Sequence, residues 1–495
     1  MPRERTVAPV RAEDGTSWDL VVDVLVVGCG CAGASAAYEA AVAGAEVTVL
    51  ERASGPGGTS ALSGGEVYLG GGTELQAACG ITDTPQAMRD FLRAALGPGC
   101  DEEKLAAYCD GSPEHYRWLV ERGVPFNASL WDAPTWVPPT DDGLMWLGER
   151  AWPFPTVAEP APRGHRPAAE GFGGWLLMER LAAAAVAAGA TVQTDTVAER
   201  LVTERDRVVG VLARRFGEQL AVRARRGVVL TTGGFVDNEA MVAQHAPQLA
   251  GMDKVSGGFD DGSGIRMAQA LGAAVRGMAA GQVGLHVIPG MIARGMLVNR
   301  HGQRFINEDC YPGRVGQAAL FRQGMGTWVV LDERGYEETP PRERWGVLPH
   351  HVAETVAELE ELTGLPAGAL QATVAAYNAA AALGEDPVFH KAARWLRPLE
   401  PPFAAVDPAR TFRPSGESGA GSGAAVFTLG GLATDSDGRV LDLDGSPLPG
   451  LWAAGRATQG LAAWGYVSGT SLGDGTFFGR RAGRGAAADR PEVSQ

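Results

Sequence analysis

The sequence predicts an α/β fold with a parallel sheet, and three observations in residues 21–60 support this class. Residues 21–27 are an apolar, β-branched run of strand length, and residues 46–50 are a second such run. Between them, residues 34–43 are mostly small, as in a helix that packs closely on a sheet. Strand, helix and strand in this order form a βαβ unit, whose two strands lie parallel.

The loop between the first strand and the helix has the pattern GxGxxG. Its glycines permit a tight turn, a close approach of backbone to a pyrophosphate, and close packing of helix on strand, while the helix N-terminus offers free N–H groups. Glu51 follows the second strand about 20 residues later, where a carboxylate accepts hydrogen bonds from a ribose and would repel a 2′-phosphate. A GxGxxG loop alone is also found in ordinary glycine-rich turns, so the prediction of a Rossmann-like dinucleotide site rests on all parts occurring in order. The candidate cofactor residues of this unit are Gly28, Gly30, Ala32, Gly33, Glu51 and Arg52.

Composition restricts the partners and the location of the protein. The chain has 495 residues, enough for two or three domains, and its formal net charge of −15 without a long basic run argues against nucleic acid as a partner. Six scattered cysteines include no CxxC pair, so no metal site is predicted, and so few cysteines fit a reducing compartment. Residues 1–19 are polar, and the Ala-rich run 181–190 is too short to span a bilayer. We therefore expect a cytoplasmic protein without a membrane span.

Glycines continue after Glu51, in residues 55–58, 64–65 and 70–72. Backbone that follows a long ligand closely favours residues without a Cβ. NAD enzymes do not need such a second glycine-rich segment, whereas FAD enzymes often do because the flavin extends further. We therefore predict FAD, with a flexible glycine-rich loop as the alternative interpretation. The candidate contacts here are Gly58, Thr59, Ser60, Gly64 and Gly65.

The next part of the chain is predicted to be helical and then irregular. Residues 84–123 are interpreted as short helices that start at Thr84, Asp101 and Ser112. The loop 131–152 contains four tryptophans, whose rings must be buried. It is either a lid or wall over an apolar substrate or ordinary packing of a long loop on the core.

After a helix at 175–188, the chain is predicted to return to the cofactor. Short strands at 197–202, 208–212 and 220–222 precede a buried strand that ends at residues 231–234, and a further helix follows residues 260–264. A strand that delivers a glycine pair is typical of a chain that returns to the edge of a cofactor. The candidate contacts are Val197, Thr232, Gly233, Gly234 and Gly262.

From residue 285 the pattern changes to mixed strands and helices, which predicts an α+β substrate or capping domain inserted into the first domain. The predicted division is therefore 1–284 and 423–495 for the FAD-binding domain and 285–422 for the inserted domain. In the C-terminal part, a strand ends near residue 456 and a last helix follows residue 469. The candidate cofactor contacts there are Gly455, Arg456, Ser471 and Leu472.

Several segments together resemble the flavoprotein family of fumarate reductase and succinate dehydrogenase. They are residues 28–33 with Glu51, 57–60, 299–308, 377–378 and 430–455. Within that family the sequence is most similar to FAD-dependent 3-ketosteroid dehydrogenases of the 3-oxo-5α-steroid 4-dehydrogenase type, through residues 68–73, 95–99, 142–145 and 465–475. This resemblance implies an FAD-binding domain with an inserted domain that caps the flavin. The glycine segment 57–58 has no neighbouring histidine for covalent attachment, so non-covalent FAD is expected.

The resemblance also implies a reaction and the residues that perform it. A proton leaves the carbon alpha to a ketone and a hydride leaves the beta carbon to flavin, which supplies the acceptor. Tyr466 and Ser468 lie two residues apart, so in an extended segment they face the same side and form a candidate relay for the proton. Tyr311 lies where the steroid type has an active-site tyrosine. Trp464 and the Gly/Ser-rich stretch 413–425 differ from that type and predict a reshaped pocket.

The expected function is thus desaturation of a 3-ketosteroid or a similar apolar ketone. No second dinucleotide fold for NAD(P)H is visible in the sequence, so electrons are expected to leave to an external acceptor such as a quinone. Two alternatives stay open: a desaturase or enone reductase of a smaller cyclic ketone or natural-product intermediate, and a flavin-binding protein without catalytic activity.

Overall fold

The computed structural model describes residues 7–12, 17–411 and 422–490. The α-helices within these residues are α1 (Cys31–Val42), α2 (Gly58–Ala61), α3 (Glu74–Ala78), α4 (Pro85–Leu96), α5 (Glu102–Glu121), α6 (Gly174–Ala187), α7 (Glu239–His245), α8 (Ser263–Gln269), α9 (Pro289–Arg294), α10 (Pro312–Gln317), α11 (Glu333–Glu337), α12 (Val356–Thr363), α13 (Ala369–Ala382) and α14 (Thr470–Ala488). The strands are β1 (Val10–Arg11), β2 (Leu20–Val27), β3 (Val47–Leu50), β4 (Val67–Tyr68), β5 (Leu130–Trp131), β6 (Leu144–Met145), β7 (Gly164–His165), β8 (Thr191–Gln193), β9 (Thr196–Glu204), β10 (Arg207–Arg215), β11 (Glu218–Leu230), β12 (Asp253–Lys254), β13 (Val275–Arg276), β14 (Gly281–Leu285), β15 (Met296–Asn299), β16 (Thr327–Asp332), β17 (His351–Ala353), β18 (Phe403–Val406), β19 (Ala424–Thr428), β20 (Gly431–Leu432), β21 (Arg439–Leu441) and β22 (Pro447–Ala453).

A parallel sheet in the order β8, β3, β2, β11, β22 forms the centre of the fold. The strands β2 and β11 stay in register to Val27 and Leu230, so both end at the same edge of the sheet. Ligands bind outside the carboxyl ends of such strands, and this edge carries Gly28, Glu51 and Thr231. The predicted α/β class is confirmed.

The first and last helices pack against each other on one face of this sheet. Glycines at 479 and 483 let the backbone of α14 lie directly on α1, and a Cβ at Gly479 would lie 2.5 Å from the carbonyl oxygen of Ala32. This close packing fixes the N-terminus of α14 beside the GxGxxG loop. The last helix is therefore positioned by the first one, although more than 400 residues separate them.

An antiparallel extension, β9, β10 and the first half of β11, continues the sheet on one side. The sequence predicts separate strands at 220–222 and 227–230, whereas the structure has one continuous strand, β11. This prediction was wrong because Gly227 does not interrupt the strand; it makes room for Trp452 on β22, whose ring a Cβ there would overlap.

In residues 84–123 the predicted helix starts at Thr84 and Asp101 are confirmed, and the start at Ser112 was wrong. The segment forms α4 and the 20-residue helix α5, with Ser112 and Pro113 in the interior of α5. Asp101 caps α5 by accepting from the backbone N–H of Lys104 at 3.1 Å. Ser112 starts no helix because its hydroxyl accepts from the backbone N–H of Gly70 at 2.9 Å instead.

Two smaller sheets lie beyond the central sheet. The antiparallel sheet β15, β16, β18, β17 packs with α12 and α13 around a separate apolar core that includes Val330, Leu370 and Phe403, all within the predicted inserted domain. The three-stranded sheet β12, β19, β14 joins the two parts of the predicted FAD-binding domain, because β12 and β14 precede the predicted inserted domain, apart from Leu285, and β19 follows it. The boundaries themselves remain a prediction. Among the helices of the described residues, none has the length and apolar character that crossing a bilayer requires.

Candidate active site

A cavity of about 790 Å³ extends from the edge of the parallel sheet to the sheet β12, β19, β14. Its lining combines segments that are far apart in sequence: the GxGxxG loop, the glycine-rich segment around α2, the ends of β3 and β11, and the segments 455–456 and 466–472. The fold thus gathers at one cavity nearly every segment that the sequence predicts to contact a cofactor.

All but four of the predicted cofactor residues line this cavity. Those that do are Gly28, Gly30, Ala32, Glu51, Arg52, Gly58, Thr59, Ser60, Gly64, Val197, Thr232, Gly233, Gly455, Arg456, Ser471 and Leu472. The four exceptions, Gly33, Gly65, Gly234 and Gly262, are glycines at which a Cβ would lie against neighbouring protein atoms. At Gly33, for example, a Cβ would overlap the carbonyl oxygen of Gly28. These glycines allow close backbone packing behind the cavity wall.

Glu51 is held rigidly at one end of the cavity. Its two carboxylate oxygens accept from the backbone N–H groups of Cys29 at 2.7 Å and Ala53 at 2.8 Å. Each oxygen keeps a further lone pair, so the carboxylate can still accept hydrogen bonds from a ribose. Beside it, Arg52 forms an ion pair of 2.8 Å with Asp261.

Asp260 joins three of the cofactor segments. One of its carboxylate oxygens accepts from the Thr59 hydroxyl at 3.0 Å and from the Arg456 guanidinium at 2.7 Å. Thr59 in turn accepts from the backbone N–H of Gly257 at 3.0 Å. The N-terminal glycine segment, the loop before α8 and the segment after β22 are therefore fixed relative to one another through a single carboxylate.

The residues present fit a bound dinucleotide such as FAD. The helices α1 and α14 begin at the cavity, so the positive ends of both dipoles face it, which favours a diphosphate and negative charge on a ring system. The buried hydroxyl of Thr232, in the lining, has no hydrogen-bond partner among the described residues. Since buried polar groups are nearly always paired, this oxygen is a fitting contact for a ligand.

The three predicted catalytic residues lie together. Tyr466 and Ser468 line the cavity, and Tyr311 lies behind Ser468 with its phenolic oxygen 2.9 Å from the Ser468 hydroxyl. The rings of Tyr311 and Tyr466 are 6.5 Å apart. The sequence pairs Ser468 with Tyr466, but among the described residues its hydrogen-bond partner is Tyr311.

Burial controls the protonation of both tyrosines. It raises the pKa of Tyr311 well above its ordinary value, against the hydrogen bond from Ser468, which lowers it. Burial also raises the pKa of Tyr466, while Ser471 and Arg456 lower it and Glu66 raises it further. Both phenols are therefore protonated at neutral pH and can donate hydrogen bonds.

Sequence reasoning missed Gln282 and Phe427, which line the cavity beside the tyrosines. The Gln282 amide donates to the Tyr311 oxygen at 3.3 Å, and the Phe427 ring meets the Tyr466 ring edge-on at 5.3 Å. Polar or small residues at 282, 284 and 286, all in the cavity lining, alternate in sequence with the apolar Val283 and Leu285, of which Leu285 also reaches the lining. That period of two was the available signal for a strand with one face on a site.

Glu66 is a second missed residue. It lines the cavity, and its Oε1 lies 3.6 Å from the Nε of buried Arg166. Burial raises the pKa of this carboxyl, and Arg166 opposes that shift. A carboxylate one residue after the glycine pair 64–65 was a signal that the sequence offered.

The regions expected to reshape the pocket contribute unequally. Of the four tryptophans in 131–152, Trp136 lines the cavity, whereas Trp152 is exposed, against the expectation of burial, with its ring tilted against His390. The loop is thus partly a wall and partly ordinary packing. Trp464 lies outside the lining and packs against Phe321. In the stretch 413–425, residues 413–421 fall outside the described residues, and Ala425 lines the cavity.

No group of three His, Cys, Asp or Glu side chains that could hold a metal occurs within the part of the chain that the structure describes. All six cysteines are free thiols.

Comparisons with known proteins agree with this site. A family model described as an FAD binding domain matches residues 23–472. A 4-oxocyclohexanecarboxylate 2-dehydrogenase of Sinomonas cyclohexanicum is 31% identical, covering 93% of this chain and 92% of that protein. A 3-oxo-5-alpha-steroid 4-dehydrogenase of Comamonas testosteroni is 28% identical, covering 91% and 95%.

Among the solved structures that are similar to this chain, one matches it over almost the whole length of both chains. It is the crystal structure of a 3-ketosteroid-delta4-(5alpha)-dehydrogenase from Rhodococcus jostii RHA1 in complex with 4-androstene-3,17-dione. The two chains are 50% identical with a TM-score of 0.92, covering 97% of this chain and 100% of that one.

Proposed function

Because the chain belongs to the FAD binding domain family, we propose that it is an FAD-dependent dehydrogenase that introduces a carbon–carbon double bond next to the ketone of a 3-ketosteroid. The predicted cofactor and the predicted enzyme class, an oxidoreductase acting on CH–CH bonds, are confirmed by the family match and the relatives. The observation that supports the substrate most directly is the contact of Tyr311 with Ser468 at the cofactor cavity. It provides a polar, hydrogen-bonding end to a largely apolar space.

Ser468, held by Tyr311 behind it, is suited to bind the ketone oxygen. The Gln282 amide donates to the Tyr311 oxygen, and either hydroxyl of the Tyr311–Ser468 contact can be the donor; with Tyr311 as donor, the Ser468 hydroxyl is free to donate onward. Donors that are already aligned stabilise the negative charge that grows on the oxygen when the alpha proton leaves. When bound, FAD supplies the acceptor for the hydride from the beta carbon.

We assign the alpha proton to Tyr466. It lines the cavity next to Ser468, and its position before α14 places its oxygen near the positive end of that helix, which favours a phenolate. Ser471 and Arg456 lower its pKa against the effect of burial. Tyr466 is thus the residue that we assign as the base.

The electrons then leave to an external acceptor such as a quinone, which is also part of this proposal. A cytoplasmic location is supported by the six free thiols, since a reducing compartment keeps cysteines in that state.

The test is an anaerobic substrate panel monitored by flavin absorbance. The purified holoenzyme is mixed with 5α-reduced 3-ketosteroids and, separately, with cyclohexanones that carry small substituents. Bleaching of the flavin by the ketosteroids but not by the cyclohexanones is the expected result. Bleaching by cyclohexanones alone would favour the smaller substrate of the Sinomonas relative, and no bleaching by any ketosteroid would overturn the proposal.

A further inference from the structure

The sheet β12, β19, β14 forms the floor of the substrate end of the cavity. Side chains alternate between the faces of a strand, so Gln282, Gly284 and His286 share one face. Gln282 pairs with Phe427 and Gly284 pairs with Ala425, and all five line the cavity. The neighbouring strand adds Asp253, which pairs with Ala425 from the other side.

The two ends of this floor are polar and its middle is apolar. At one end the Gln282 amide donates to Tyr311, one of the three predicted catalytic residues. Gly284 and Ala425 follow, and the Trp136 ring lies over Gly284, where a Cβ would be 3.3 Å from it. His286 lies four residues beyond Gln282, which corresponds to about 13 Å along a strand. That length suits a fused ring system whose ketone lies at the Gln282 end.

His286 and Asp253 lie side by side at the far end, where the Asp253 side chain is one-third exposed. The His286 side chain is 8% exposed, and its Nε2 lies 3.6 Å from Asp253 Oδ2. Neither His286 Nδ1 nor Asp253 Oδ2 has a hydrogen-bond partner among the described residues. Buried polar atoms are nearly always paired because leaving them unpaired is unfavourable, so such atoms in a cavity wall indicate a ligand that pairs with them.

The chemistry of the pair selects the kind of ligand group. Burial lowers the pKa of His286, against the effect of Asp253, so the imidazole is neutral at pH 7. A neutral ring places its single proton on the nitrogen that faces the carboxylate, which leaves Nδ1 as an acceptor. The pair therefore offers acceptors and one negative charge. A hydroxyl can donate to it, a ketone cannot, and a carboxylate would be repelled.

We propose that His286 and Asp253 form a second substrate-binding subsite that accepts a hydrogen bond from a hydroxyl group at the end of the steroid farthest from its ketone. The proposal rests on the proposed function and adds a preference among its substrates.

The experiment compares three 5α-3-ketosteroids that differ only at carbon 17, which carries a β-hydroxyl, a ketone or no oxygen. Anaerobic flavin reduction is followed in the wild-type holoenzyme, in His286→Phe and in a control variant, His245→Phe, whose ring lies outside the cavity lining. We expect the wild type and the control to have a KM for the hydroxyl compound at least tenfold below that for the other two. In His286→Phe the KM for the hydroxyl compound rises to that of the other two, so this difference disappears.

The outcomes separate this proposal from the proposed function. Equal KM values for all three steroids in the wild type would overturn the subsite and leave the dehydrogenase intact, and this comparison needs no variant to fold. A preference that survives in His286→Phe, or that favours the ketone, would also overturn it. No flavin reduction by any of the three would overturn both proposals together.

Discussion

The phenolic oxygen of Tyr311 and the hydroxyl of Ser468 lie 2.9 Å apart, although 157 residues separate them in the chain. Tyr311 comes from the turn before α10 and Ser468 from the segment before α14, so the contact joins the predicted inserted domain to the C-terminal part of the FAD-binding domain. Only Ser468 of the two lines the cavity. Tyr311 therefore acts on the substrate through Ser468, as a positioning residue.

Tyr311→Phe is expected to lower kcat by about 100-fold, because it removes the hydrogen bond that orients the Ser468 hydroxyl. FAD affinity should stay unchanged, since Tyr311 is outside the lining. Single-turnover flavin reduction and a fluorescence titration of FAD measure the two quantities. The matched control is Tyr116→Phe, a buried tyrosine away from the cavity. A kcat for Tyr311→Phe equal to that of the control would remove Tyr311 from the mechanism.

The pH dependence of flavin reduction tests the role of Tyr466. Burial raises the pKa of this tyrosine above its ordinary value, so the reactive phenolate is scarce at neutral pH and becomes more abundant as pH rises. The rate should therefore climb steadily from neutral to alkaline pH, with no plateau below pH about 10. In Tyr466→Phe the residual rate should lose this climb. A wild-type profile that levels off near pH 7 would assign the proton to another group.

The cofactor half of the site could largely be predicted from the sequence because its geometry is local. The spacing of Gly28, Gly30 and Glu51 within one βαβ unit is enough to place them around a dinucleotide. Even the remote segments at 232–233 and 455–456 follow strands of the same parallel sheet. Strand ends of a parallel sheet meet at one edge, so each such glycine is assigned to the site without knowledge of tertiary packing.

The substrate half could not be predicted in the same way. The hydrogen-bond partner of Ser468 depends on how two distant segments pack. The spacing of two residues in the sequence indicated Tyr466, whereas the partner in the structure is Tyr311. Asp253 and His286 meet only because β12 and β14 flank β19 in one sheet. The order of strands in a small sheet that is built from three distant segments cannot be deduced from the residue spacing within any one of them.

Glu51→Gln tests the adenosine end of the cofactor site. The carboxylate accepts two backbone N–H bonds at 2.7 and 2.8 Å, and an amide nitrogen cannot accept one of them. We expect FAD affinity to fall about tenfold, or 1.4 kcal/mol. Titration of the apoprotein with FAD measures this, with the exposed Glu74→Gln as control. An unchanged dissociation constant would mean that neither the charge of Glu51 nor its second backbone hydrogen bond contributes to FAD binding.

The packing of α14 on α1 can be tested by Gly479→Ala. The new Cβ would lie 2.5 Å from the Ala32 carbonyl oxygen, and backbone on both sides cannot yield as a flexible side chain does. Overpacking of this kind costs about 1–3 kcal/mol, so the melting temperature should fall. FAD affinity should fall as well, because Ser471 and Leu472 begin the same helix. Gly55→Ala, at a glycine with open space around it, is the control. Equal melting temperatures in the two variants would mean that α14 and α1 move apart to accommodate the new Cβ without a loss of stability.

Glu149 makes the stability of the protein depend on pH, although this residue has no role in the proposed reaction. Burial raises the pKa of its carboxyl from 4.5 to about 7, while Arg163 and the backbone N–H of Leu147 lower it. The folded state therefore binds this proton more tightly than the unfolded state. The stabilisation is complete below the unfolded pKa and is lost as pH rises through the folded one.

Glu149→Gln keeps the shape of the side chain and removes this titration. Below pH 4.5 the variant and the wild type should unfold at similar denaturant concentrations, since the wild-type carboxyl is then neutral in both states. Above pH 7 the variant should be more stable by up to about 3 kcal/mol, the value of the shift in pKa. Urea unfolding at several pH values measures the difference, with exposed Glu170→Gln as the control. A variant that is less stable than the wild type at high pH would mean that the ionised carboxylate, paired through Tyr68 and Arg163, stabilises the fold.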